Sequence, residues 1–218
     1  MARQDAQRRH LPPPPDYTWA VGALAAALEE GGGPGLGYRR AGACLEYDDG
    51  SGTHWQLVRL AGGRAVVTGF DVDYSEERDP AELLAGAPGW LPRGWSGLTE
   101  RIAFCYWWEQ GADAWSYASC PPDRGAKVTG SPYDVEERLF ERAWERVGDD
   151  GEVAREFTPK LDALLDAALE GRVGEAGLGA VLLCLEDARY VRPAAALAAA
   201  EGAGLTSGSH RPELPVSV

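Results

Sequence analysis

Apolar positions recur at two different spacings along this chain, and the change of spacing divides it. The first ordered stretch is helical. In "DYTWAVGALAAALEEGGG", Trp19, Leu24 and Leu28 fall near one helical face, Asp16 or Thr18 can cap, and Gly31 to Gly33 terminate. The pattern predicts a helix over about residues 17–30. It then shortens towards two. Segments 37–47, 53–60 and 64–74, joined by Gly-rich turns, read as an antiparallel meander. On the middle segment Trp55, Leu57 and Arg59 share one side and His54, Gln56, Val58 and Leu60 the other, so the alternation alone does not choose the buried side. A short helix follows over 75–88, with Pro80 near its first turn, then a loop over 89–97 carrying Trp90 and Trp95. A hairpin comes next, with arms 100–109 and 114–120 around the polar turn "QGAD".

Beyond the loop 121–132 the period is helical to the end. Ser131, Pro132 and Asp134 have the form of a capping box. Val135, Leu139, Ala143 and Val147 make an apolar stripe flanked by Phe140 and Trp144. Glu137, Glu141 and Glu145 run beside Arg138, Arg142 and Arg146 and read as a solvated outer face. "EVAREF" starts another helix. Thr158 caps the next, with Leu161, Leu164, Leu165 and Ala168 on one side. Residues 175–191 predict a helix apolar over most of its circumference, and therefore central; 193–202 predict a short last one. The expected fold is α+β: an antiparallel meander and hairpin with flanking helices, followed by an all-helical C-terminal part. The expected organisation is a Pro-rich arm at 1–15, an α+β domain at 16–130, a helical domain or subdomain at 131–201 and a flexible tail at 202–218.

Charge narrows the range of partners. The net charge is −13, and the acidity belongs to both halves: residues 16–132 carry 9 basic and 16 acidic side chains, residues 133–201 carry 8 and 16. Such a surface repels phosphate backbones, which disfavours direct nucleic-acid binding, and it suits a basic protein partner. No apolar run is long enough to span a membrane, and the basic N-terminus lacks the apolar stretch of a secretory signal, so the cytoplasm is the expected compartment. There the four cysteines, Cys44, Cys105, Cys120 and Cys184, are expected reduced. No C-x-x-C spacing occurs, and a Cys105–Cys120 bridge is disfavoured by the register of the hairpin.

Candidate chemistry is sparse. "CYWWEQGADAWSYASC" is aromatic on both sides of its first strand, which predicts mainly core. An exposed face there would make Tyr106, Trp107, Trp108, Trp115 and Tyr117 a partner-binding surface. Asp71 and Asp73 project to the same side at the end of a strand, a weak signal for a hard cation such as Mg²⁺. His54 could activate a thiol only if the fold brought one to it. "GGGPGLG" lies after a helix and before a strand, the reverse of a dinucleotide loop, and no cofactor is expected. The leading expectation is an acidic protein that binds another protein, in its sharpest form an inhibitor or immunity-type partner of a basic enzyme. The alternatives are a small-ligand or metal-dependent enzyme using Asp71, Asp73 and His54, and a self-assembling scaffold. The sequence leans away from an enzyme and leaves the oligomeric state open.

Overall fold

The computed structural model describes residues 11–91, 101–118, 123, 125–128 and 132–216. The architecture is α+β, with a six-stranded antiparallel sheet in the order β1 to β6 and helices around and after it. Helix α1 spans Pro15–Glu30, and the strands are β1 (Tyr38–Ala41), β2 (Cys44–Asp48), β3 (His54–Leu60), β4 (Arg64–Phe70), β5 (Phe104–Trp108) and β6 (Ser116–Tyr117). A one-turn helix, α2 (Pro80–Leu83), lies between β4 and β5. The C-terminal helices are α3 (Pro132–Val147), α4 (Asp150–Glu156), α5 (Thr158–Leu169), α6 (Glu175–Leu185) and α7 (Pro193–Gly202).

Several boundaries moved from their predicted places, each for a local reason. The strand expected over 37–47 is two strands, because Gly42 adopts φ +59° and turns the chain between β1 and β2. The strand expected to reach residue 74 stops at Phe70, where Asp71 begins a turn. The helix expected over 75–88 shrinks to α2, capped by the Asp79 side chain accepting from the Ala81 N–H at 2.8 Å. Helix α6 ends at Leu185 rather than 191. Thr158 lies inside α5 rather than capping it, and the preceding position, Phe157, supplies no side-chain cap.

The described residues form two compact units that do not follow the expected contiguous division. One unit takes residues through 18, 43 to 131, and 213 onward; the other takes 19 to 42 and 132 to 212. In the first, cross-strand pairing fixes both faces of the sheet. Val58 lies opposite Val66, and Val66 opposite Trp107. These side chains, with Cys105, Leu60, Leu83 and Ile102, make one buried cluster. On the other face Leu57 pairs with Val67 and Val67 with Tyr106. Both sides of β3 and β4 are thus covered, which is why β3 shows no clean alternation. The segment expected to be a flexible tail is ordered through residue 216. β3 runs past its paired stretch with β2, and its free edge there is taken by Leu214: the Leu214 N–H donates to the Arg59 carbonyl (2.9 Å) and the Ala61 N–H to the Leu214 carbonyl (2.8 Å).

In the second unit, α6 packs against α3, α5 and α7. Most of α1 beyond Thr18 is also buried, including Trp19, Ala23, Leu24, Ala27 and Leu28, so its apolar residues are not confined to one stripe. Among the described residues no helix is long and apolar enough to cross a membrane.

Candidate functional site

The residues that drew attention in the sequence are placed mainly by structural demands. Tyr106, Trp107 and Trp115 are buried, and Trp108 and Tyr117 are half-buried. Tyr106 meets Tyr117 edge-on at 5.6 Å between ring centroids, and Trp108 meets Trp115 in the same way at 5.5 Å. The Trp115 indole N–H donates to the Pro13 carbonyl at 2.9 Å. These rings spend their area on each other and on the sheet, so they do not form the open aromatic face that the partner-binding alternative required.

Asp71 and Asp73 do not converge on a common point. The strand ends before them, and the two-residue alternation that would align them ends with it. Asp71 is buried, and its Oδ1 accepts the N–H groups of Asp73 and Tyr74, both at 2.9 Å, closing an Asx turn. The Asp73 side chain is exposed. Among the described residues no group of three or more His, Cys, Asp or Glu side chains could hold a metal ion. What the structure shows for Asp71 is a turn-closing role.

His54 has its Nε2 2.9 Å from the Arg101 carbonyl, and its ring lies against Phe70. With the Nε2 proton donated there, the imidazole ties β3 to the segment before β5. Cys44 and Cys105 sit at other places in the sheet: His54 pairs across with Asp48 and Phe70, Cys44 with Val58, and Cys105 with Thr68. Burial, reinforced by the Glu46 carboxylate, pushes the Cys44 thiol up to about 12, the opposite of what a nucleophile needs. Among the described residues Cys105, which is buried, and Cys184, which is half-buried, form no disulfide; Cys120 lies outside the described residues.

One buried polar knot went unread in the sequence. Ser75 donates its hydroxyl to Asp123 Oδ1 at 2.5 Å and accepts the Asp71 N–H at 3.1 Å. Asp123 Oδ1 also accepts the Gly125 N–H at 2.9 Å, while the Asp123 N–H donates to the Tyr106 hydroxyl at 2.9 Å. Burial raises the Asp123 pKa; the Ser75 hydroxyl, the Gly125 N–H and Arg78 oppose the rise, and the Asp71 charge adds to it. The folded protein therefore holds the Asp123 proton more tightly than the unfolded chain. The contribution of this group to stability is full below the unfolded aspartate pKa, about 3.9, and is lost as pH rises through its raised folded value. Asp123→Asn keeps an oxygen for Ser75 and Gly125 and removes the buried charge. Its melting temperature is expected above the parent's at pH 7, the gap closing as pH approaches 4. A gap that widens on acidification in a melting series would contradict this account of Asp123.

The feature with the geometry of a binding site lies elsewhere, in the helical unit. A groove of about 470 Å³ opens between α3 and the start of α5. Its floor is Phe140, Phe157 and Leu161; Phe157 and Leu161 are buried and Phe140 is half-buried. Its rim is acidic, with Glu136, Glu137 and Glu141 from α3 and Asp162 from α5. Partial burial, and then the Asp162 charge, raise the Glu136 pKa. Within the described residues, no ion pair neutralises any of these four carboxylates. Two of the three arginines of α3 are engaged elsewhere. Arg138 donates to the Leu36 carbonyl at 2.8 Å, and Arg142 pairs with Glu186 at 2.9 Å and Glu145 at 3.1 Å. The neighbouring charges of α3 thus separate in space: Arg138 and Arg142 turn to partners outside the groove, and the carboxylates of Glu136, Glu137 and Glu141 line it. One turn past Glu141, Trp144 is 45% exposed. The groove escaped the sequence reading because Glu137 and Glu141 at i, i+4 are equally the mark of a solvated face; only Phe157 and Leu161, brought from another helix, make it concave.

Fold and groove together define an α+β protein of two units, one of which carries an anionic, apolar-floored groove. Comparison with protein-family models, with characterised proteins and with solved structures finds no match.

Proposed function

We propose that this protein acts by binding a basic protein, in the manner of an inhibitor or immunity-type protein that masks a basic enzyme. The observation that carries the reading is the groove between α3 and α5, where an apolar floor is ringed by four carboxylates that no ion pair among the described residues neutralises. An apolar floor supplies area to bury, and the uncompensated rim favours positive partners while repelling negative ones. The net charge of −13 extends the same preference over long range and would speed encounter with a cationic surface.

The test is capture from the native host with the full chain as bait, at low ionic strength, followed by a salt gradient. A basic protein recovered at one-to-one stoichiometry, released as salt rises, is the expected result. Recovery of no stoichiometric partner, or of an acidic one held regardless of salt, would remove the proposal.

A further inference from the structure

Resting on that reading, we infer that the groove between α3 and α5 receives a basic amphipathic helix of the partner, which seats an apolar side chain on Phe140, Phe157 and Leu161 and sets cationic side chains against the rim. The spacing of the rim argues for a helix. Glu137 and Glu141 are four residues apart on α3, a separation of about 6 Å along its axis at the rise of an α-helix. Cations at i and i+4 of a second helix repeat at the same interval, so one apolar position between two basic ones matches the floor and the α3 wall together. Asp162 lies on the opposite wall and can meet a cation on the other flank of that helix.

Charge also decides the occupant. The helix must bring cations, because an anionic one would add like charge to a rim of four carboxylates, where burial and then the Asp162 charge already raise the Glu136 pKa. The cavity, about 470 Å³, is large enough for an apolar side chain to enter between the carboxylates. Trp144 continues the α3 wall one turn beyond Glu141 and is exposed, the type of residue that anchors interfaces.

The test uses the full chain and three synthetic peptides: an amidated helix with Leu on one seam and Arg on its flanks, the same helix with Glu for Arg, and a scramble of the basic peptide. Spermine is the non-peptide cation. Titration calorimetry reads each against the parent and against the quadruple variant Glu136→Gln, Glu137→Gln, Glu141→Gln, Asp162→Asn. These substitutions relieve like-charge repulsion, and circular dichroism checks that the variant is folded. The ordered basic helix is expected to bind at least tenfold more tightly than the scramble, the acidic helix not at all, and the quadruple variant to lose at least tenfold for the basic helix. If the scramble or spermine matches the ordered helix, or the variant binds as the parent does, the groove is not the helix site; a basic-partner function through the wider acidic surface then survives. If no cationic probe binds even at low salt, the groove inference fails and the basic-partner reading fails with it.

Discussion

Replacing Trp19 by alanine is expected to lower the unfolding free energy by about 4 kcal/mol, the middle of the range for emptying a large aromatic from a core. Trp19 is fully buried on α1, and its indole N–H donates to the Ala203 carbonyl at 2.9 Å. Alanine removes the ring and leaves that carbonyl, at a residue which is itself buried, without this donor. Trp19→Phe separates the two parts: it keeps most of the volume and loses the hydrogen bond, so it should cost about 1–2 kcal/mol, the share of the unmade bond. Urea denaturation of the three proteins gives the numbers. A loss below about 2 kcal/mol for alanine, under the range for such truncations, would show that the surrounding helices collapse into the space.

Gly69→Ala is expected to cost about 3 kcal/mol, although it adds a single methyl group. A Cβ at position 69 would stand 2.5 Å from the Trp55 Cβ, 2.6 Å from the Phe104 ring and 2.6 Å from the His54 carbonyl oxygen. A ring can turn aside, but the carbonyl belongs to the β3 ladder and cannot move without breaking register. Gly69 pairs with Phe104, whose ring covers the glycine and stacks on Tyr106 at 5.6 Å. Gly89→Ala is the control, since no atom of the described residues lies within 4 Å of its added Cβ; it should change stability by no more than about 0.5 kcal/mol. Phe104→Leu placed on top of Gly69→Ala should recover part of the loss by shortening the obstructing side chain. Thermal melts that rank Gly69→Ala beside Gly89→Ala would mean the strands slide apart freely, and the assigned packing would be wrong.

Much of the fold was legible in the residues. Turn glycines, the Pro80 signal, and the shift from a two-residue to a helical period placed the sheet ahead of the helical part. The residues also showed that β5 carries aromatic side chains on both of its sides. Less was legible of the site. The aromatic hairpin drew attention because Trp and Tyr serve cores and interfaces alike, and composition does not distinguish the two. Asp71 and Asp73 looked paired because alternation was extended past the point where the strand ends. The knot of Ser75 and Asp123 joins residues 48 positions apart, a separation over which no local pattern speaks.

The amino-acid sequence by itself determined the class of the fold, the positions of most elements and an excess of negative charge, because backbone propensity, periodicity and composition are local or additive. The tertiary structure alone decided that residues 19 to 42 join the helical unit, that Leu214 completes the edge of β3, and that Glu136, Glu137 and Glu141 of α3 border a concave apolar floor. Those outcomes depend on which distant side chains meet, and contact between surfaces, unlike propensity, is a property of pairs.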